Sequence, residues 1–170
     1  MPFALAPHRI LTMSIGYDVL TATVAGMMVG NEFAVAAFIH PQLQRMSHKV
    51  HAQAVPSLAA SLGKFMPLWY ALALLLIIGA AFEQRPVTTV PCLLITTAAV
   101  LWGVAILFTV VKLVPINNRI ARMDPEQPHE TWLQDRCRWD TLHRTRVIIL
   151  ALSFVLLLTG LIQGAALSAH

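Results

Sequence analysis

The sequence predicts an all-α integral membrane protein, a four-helix bundle of up-down-up-down connectivity. Three observations carry the prediction. Of the 170 residues 57% are hydrophobic and 12% charged, with a mean hydropathy of +0.68, whereas about a quarter of a soluble domain's residues are charged. Three runs contain no charge at all: 18 residues at 65–82, 26 at 86–111 and 23 at 147–169. Each is close to or above the ~20 residues a helix needs to cross the hydrocarbon core. The period-2 alternation of a membrane barrel is absent, so helices are left to satisfy the backbone in lipid. The length fits a single domain over 1–170.

The first span is placed at about 11–39, an apolar stretch interrupted by Asp18 and Glu32. It is too long, and its flank too weakly basic, for a cleavable signal peptide. It contains Gly26 and Gly30, a small-xxx-small spacing that lets another backbone come close. It ends or bends at His40-Pro41, because proline lacks an N–H and disfavours helix at the residue before it. A short polar, amphipathic segment with His48 and His51 precedes the second span at about 65–82, which opens on Trp69-Tyr70, a pair suited to a membrane interface. The third span, about 89–114, is ended or kinked by Pro115, with Asn117 and Asn118 just beyond. A loop with Pro125 and Pro128 carries His129. A second amphipathic segment, 130–146, reads as a helix running into the fourth span, about 146–168. On it Asp135, Trp139, His143 and Arg146 fall on one face, and Asp140 with Arg144 forms an i, i+4 pair of opposite charge. Gly160 and Gly164 repeat the small-xxx-small spacing, which leaves a homo-oligomer through glycine faces open.

Charge sets the expected orientation. Ten of the twelve basic residues flank the 1–2 and 3–4 connections, and only Arg9 and Arg85 lie on the other side. By the positive-inside rule those connections are cytoplasmic and both termini outside, as in a bacterial inner membrane. Acids are interleaved with the arginines, which argues against nucleic acid as a partner and leaves the bilayer and a small hydrophobic molecule. Cys92 and Cys137 fall near opposite faces and cannot pair.

The connectivity brings Glu32, His40, His48, His51, Asn117, Asn118, Asp140, His143 and Arg146 toward one end of the bundle. An acid inside a membrane helix is costly and faces the bundle interior or water. Glu32 is therefore a metal ligand, general base or proton carrier, or else the partner of Arg146 or Asn117. His143 can act as acid, base or ligand, or sit as a satisfied interfacial ring. Asn31, Asn117, Asn118, His40 and Trp139 are candidates for binding a substrate, with helix capping and interface anchoring as their alternatives. Carboxylate and imidazole suit iron, manganese, zinc or copper, so Glu32, His51 and His143 form a candidate metal set. Glu32 and His40 are eight residues apart, a rise of about 12 Å along a helix, and cannot share an ion unless the helix breaks. The Glu-x-x-His repeat of di-iron bundles is missing.

Taken together, Gly30-Asn31-Glu32-Phe33, His40-Pro41-Gln42-Leu43, Met66-Pro67-Leu68-Trp69-Tyr70, Val114-Pro115-Ile116-Asn117-Asn118-Arg119 and the run from Arg138 to Val147 resemble the anthrone-oxygenase-like family of small four-helix membrane proteins. The Pro-x-Asn-Asn and Trp-x3-(Asn/His)-x2-Arg signatures are the most specific parts. The resemblance implies an oxygenase or oxidoreductase acting on a small hydrophobic aromatic, as in the oxidation of anthrones to anthraquinones with dioxygen and no known organic cofactor. His143 stands where the fungal-like branch often has Asn, which makes it a stronger acid/base or ligand candidate. Glu32, His143 and Arg146 are the expected catalytic residues: Glu32 or His143 as base, Arg146 with Asn117 as oxyanion donors. The cofactor is either a transition metal, iron or copper, or nothing beyond dioxygen. The alternatives are a non-catalytic metal-, haem- or lipid-binding membrane protein, or a small transporter or accessory subunit.

Overall fold

A computed structural model describes residues 7–124, 126–127 and 130–168; of residues 7–14 and of residue 48 only the backbone is described. The described chain is helical nearly throughout, with no strand. Helix α1 (Pro7–Ala34) passes through a π-helical turn, Val35–Ile39, into the short α2 (His40–Arg45). Helix α3 spans His48–Glu83. Helix α4 (Val90–Phe108) passes through a second π-helical turn, Thr109–Leu113, into α5 (Val114–Ala121). Helix α6 runs over Trp132–Ser168. Four segments are long and apolar enough to cross a membrane: Ile15–Arg45, Lys49–Glu83, Val90–Ala121 and Trp132–Ser168.

The four segments form a ring in which α1 touches α3 and α6, and α4 touches α3 and α6. The core is built from small and flat residues. Ala25, Ala73, Ala98 and Ala105 let the helices approach, and Met28, Ile77, Ile95, Trp102, Leu150 and Leu157 fill the space between them. Trp102 is fully buried and donates its indole N–H to the Tyr70 carbonyl at 3.2 Å. Ser153 donates to the Ala98 carbonyl at 2.7 Å, tying α6 to α4. Outside this core lies a continuous apolar surface, including Leu68, Leu75, Leu107, Val155 and Ile162, which is what lipid-facing helices present.

The second amphipathic segment runs into the fourth span as one helix, as its spacing predicts, and the first is likewise continuous with the second span. The two segments are the first turns of α3 and α6, which begin at His48 and Trp132 rather than at the start of the uncharged runs. Neither His40-Pro41 nor Val114-Pro115 ends its helix. Each π turn closes two residues before its proline, and the residue between donates its N–H five residues back, His40 to the Val35 carbonyl and Val114 to the Thr109 carbonyl. A proline in a regular helix loses one hydrogen bond and drives its ring into the carbonyl four residues earlier. The wider turn relieves that crowding, so the helix continues past the proline. Three of the four paired glycines face neighbours in the same chain: Gly26 faces Phe154, Gly160 faces Ile95 and Pro91, and Gly164 faces Gln84, while Gly30 is open. Both cysteines are free; Cys92 is buried and donates to the Ala81 carbonyl at 3.4 Å, whereas Cys137 is exposed at the opposite end.

Candidate functional site

The two π turns lie at the same end of the bundle and border one cavity. The cavity has a volume of about 220 Å³ and is lined by residues of α1, α2, α3, α4, α5 and α6. Its wall is mostly apolar, with Val35, Leu43, Val55, Met66, Ile106 and Leu113 among the lining side chains. Its mouth lies between α3 and the α4–α5 segment, where the lining residues Leu58, Gly63, Pro67, Ala71, Val110 and Val114 are also exposed on the outer surface. All six are apolar and lie within segments long enough to span a bilayer. Asn117 holds α5 against α3 beside this mouth by donating to the Ala59 carbonyl at 3.3 Å.

The inner end of the cavity is polar, and α6 supplies most of it. Asp135, Arg136, Trp139, Asp140, His143 and Arg146 are all buried on one face of that helix. Arg146 donates to Glu32 Oε2 at 2.5 Å, to His143 Nδ1 at 2.8 Å and to Thr109 Oγ1 at 3.3 Å. Glu32 is 3% exposed and Arg146 7%, so this is a buried ion pair. Tyr70 lies below the guanidinium, its ring centroid 5.6 Å from Arg146 Cζ. Its hydroxyl stands beside Glu32 without hydrogen-bond geometry. Because a guanidinium can only donate, His143 Nδ1 is the acceptor, which places the ring proton on Nε2. Nε2 is buried with no hydrogen-bond partner among the described residues, and Nδ1 lies 3.4 Å from Glu32 Oε2, farther than from the guanidinium.

A second polar group adjoins the first. Asp140 accepts from His40 Nδ1 at 2.5 Å and from Arg136 at 2.8 Å on Oδ1, and from Gln44 at 2.5 Å on Oδ2. The sequence spacing pairs Asp140 with Arg144, one turn later; the structure pairs it with Arg136, one turn earlier, and leaves Arg144 exposed. Arg136 is on the buried face and Arg144 is not, and spacing alone does not separate the two. Trp139 stacks on His40 and on His143, with ring centroids 4.6 Å apart in each case, and the two imidazoles stack on each other at 5.5 Å. Its indole N–H, the Nε atoms of Arg136 and Arg146, and the Tyr70 hydroxyl are buried with no hydrogen-bond partner among the described residues.

The structure therefore brings Asn31, Glu32, His40, Asn117, Trp139, His143 and Arg146 to one cavity. Asn118 is exposed on α5 and lies off the lining. His51 does not join Glu32 and His143: it packs edge-on against Trp132 at 5.0 Å, in a small cluster with Ala52 and Met123. Among the described residues no three His, Cys, Asp or Glu side chains gather closely enough to hold a metal ion, so the trio of Glu32, His51 and His143 is not assembled. His129 and the side chain of His48 lie outside the described residues. Trp132 and Trp139 are both buried and so do not anchor a membrane interface. Asp18 is half-buried at the other end of the bundle, beside Glu83. Tyr70, Arg136 and Gln44 are members of the site that spacing did not single out. The signal available for Arg136 is its i, i+4 relation to Asp140; none is visible for Gln44.

The profile of a family described as anthrone oxygenase matches residues 57–156. No curated protein and no solved structure matches the chain.

Proposed function

The chain belongs to the anthrone oxygenase family, and on that premise we propose that it is a membrane-embedded oxygenase acting on a small, flat, hydrophobic aromatic substrate of the anthrone kind. The observation that carries this reading is the shape and chemistry of the cavity: apolar walls, a mouth of apolar residues at the height of the spans, and an inner end of buried hydrogen-bond donors without partners among the described residues. Buried donors left unpaired are uncommon and call for an explanation. A substrate carbonyl that becomes an enolate oxygen would supply one.

Such a substrate has a carbonyl at one edge of its central ring and an acidic C–H at the opposite edge. Removing that proton leaves an electron-rich carbanion, its charge delocalised to the carbonyl oxygen. Donors placed where that charge develops stabilise the transition state for its formation. Arg146, with Tyr70, is suited to that role. Glu32 holds Arg146 in place and compensates its charge, and His143 accepts from the same guanidinium nitrogen. Trp139 and the apolar wall offer flat surfaces against the rings. The carbanion reacts with dioxygen as co-substrate. The basic residues around the 1–2 and 3–4 connections support a cytoplasmic location for this end of the bundle.

The test is oxygen uptake and quinone absorbance with purified protein in lipid nanodiscs and an anthrone as substrate. Uptake of one dioxygen per quinone, faster than in protein-free nanodiscs and lost in Arg146→Met, is the expected result. A rate equal to that of the protein-free control refutes the reading.

A further inference from the structure

The geometry points to His40, held by Asp140, as the base that removes the substrate's acidic proton through Nε2. The inference rests on the oxygenase reading and identifies which group at the cavity performs its first chemical step.

Three side chains at the inner end have a basic atom: Glu32, His143 and His40. In Glu32, Oε2 is engaged by Arg146 at 2.5 Å, and the residue is 3% exposed. Taking up a proton there would dismantle a buried ion pair. In His143, the basic lone pair is on Nδ1, and that atom accepts from Arg146 at 2.8 Å. Protonating Glu32 on either oxygen would discharge the buried ion pair, and protonating His143 at Nδ1 would displace the guanidinium. His40 is arranged the other way round. Its Nδ1 is 2.5 Å from Asp140 Oδ1 and 2.9 Å from an Arg136 guanidinium nitrogen that itself donates to the same carboxylate oxygen at 2.8 Å; the nearer partner is the carboxylate, which only accepts, so the ring proton sits on Nδ1 and points at the acid. Nε2 then carries the lone pair, no side chain or backbone group among the described residues is bonded to it, and the ring lines the cavity.

The surroundings of Asp140 fit this role. Gln44 and Arg136 donate to it along with His40, which keeps it an anion pointing at the imidazole. An acid so placed fixes the tautomer and stabilises the imidazolium that forms when Nε2 takes a proton. Trp139 stacks on the ring at an interplanar angle of 29° and restrains its rotation. The local backbone contributes as well. His40 directly follows the π turn Val35–Ile39 and opens α2. That turn lies between Glu32 and His40, and residues on both sides of it line the same cavity.

The step balances as follows. The substrate C–H bond breaks, its electron pair stays on the substrate as the enolate, and the proton moves to His40 Nε2. Dioxygen takes up two electrons as a C–O bond forms, and the Nε2 proton passes to the outer oxygen, giving a hydroperoxide. Loss of the second C–H proton with cleavage of the O–O bond leaves the carbonyl and releases hydroxide. That hydroxide and the second proton, relayed by the same nitrogen, make one water.

The experiment compares wild type, His40→Ala and Asp140→Asn in nanodiscs, following quinone formation with an anthrone at saturating dioxygen, with and without added imidazole. His40→Ala is expected to lower kcat by about a hundredfold or more, in the range found for general-base removal. Its KM should change little, and imidazole entering the emptied space should restore part of the rate. Asp140→Asn, which conserves volume, should also lower kcat strongly by favouring the other His40 tautomer, and imidazole should not rescue it. If His40→Ala does not fold, Asp140→Asn decides alone: retention of kcat within about threefold of wild type overturns the proposal. Full kcat in a folded His40→Ala does the same while leaving the oxygenase reading intact. A wild type that does not accelerate the reaction removes both.

Discussion

Removing one member of the Glu32–Arg146 pair should harm the protein more than removing both. The pair is deeply buried, and its 2.5 Å contact is supported by His143 and Thr109. In Arg146→Met the Glu32 carboxylate loses the guanidinium that compensates its charge and keeps as neighbours only the Tyr70 hydroxyl and the His143 ring, whose Nδ1 is 3.4 Å from Oε2, among the described residues. Breaking a buried pair from one side costs about 3–5 kcal/mol, because the orphaned charge keeps its desolvation penalty without its attraction. At roughly 2–4 °C per kcal/mol for a chain of this size, the melting temperature should fall by roughly 6 to 20 °C. Glu32→Leu should fall by a similar amount, since it strands the guanidinium. The double variant Glu32→Leu/Arg146→Met contains no buried charge, and similar replacements in other proteins are often neutral or stabilising. It should melt above both single variants. The assay is thermal unfolding by far-ultraviolet circular dichroism in one detergent at fixed protein concentration. A double variant that melts below both singles, with the two effects adding, would show the residues to be energetically independent and refute the argument.

The glycines give a paired expectation in the same assay. Gly160→Ala puts a methyl 2.6 Å from Ile95 Cγ1 and 3.1 Å from the Pro91 carbonyl oxygen, an overpacking that should cost about 1–3 kcal/mol. Gly30→Ala meets nothing within 4 Å and should be neutral or stabilising by roughly 0.5–1 kcal/mol through helix propensity. A lower melting temperature for Gly30→Ala than for Gly160→Ala would contradict the packing described. Trp102→Ala empties the centre of the core and frees the Tyr70 carbonyl; a loss of about 3–5 kcal/mol is expected, and a loss under 1 kcal/mol would mean the core is not closed there. Ala71→Trp narrows the cavity mouth from an exposed position. It should reduce kcat/KM for a three-ring substrate several-fold while the melting curve stays in place, and unchanged kcat/KM would show that substrates enter elsewhere.

The membrane-spanning plan could be read from composition because lipid tolerates few charges, and the three uncharged runs mark where the chain is in contact with it. Those runs do not mark where helices begin. Hydropathy reports the solvent, and α3 and α6 extend beyond the lipid-facing stretch as amphipathic helices, so α3 opens at His48 and not at Phe65. Proline marked both bends but could not distinguish a helix that stops from one that continues through a π turn. The meeting of Glu32, His143 and Arg146 followed from connectivity and from the i, i+3 relation of the latter two on one face of α6. The His40–Asp140 contact did not, because it depends on how far the π turn rotates α2. His51 had the right residue type in the right region, yet α3 directs it toward Trp132 and away from the cavity.

The asymmetry of the two thiols has a practical consequence. Cys137 is accessible, adjoins Arg136 on α6 and lies at the end of the bundle that holds the cavity, while Cys92 is 2% exposed near the other end. The native chain thus carries its own orientation reporter. A maleimide that cannot cross membranes, applied to right-side-out and to inverted vesicles, labels whichever face bears the cavity, without any engineered cysteine and without disturbing a residue of the site.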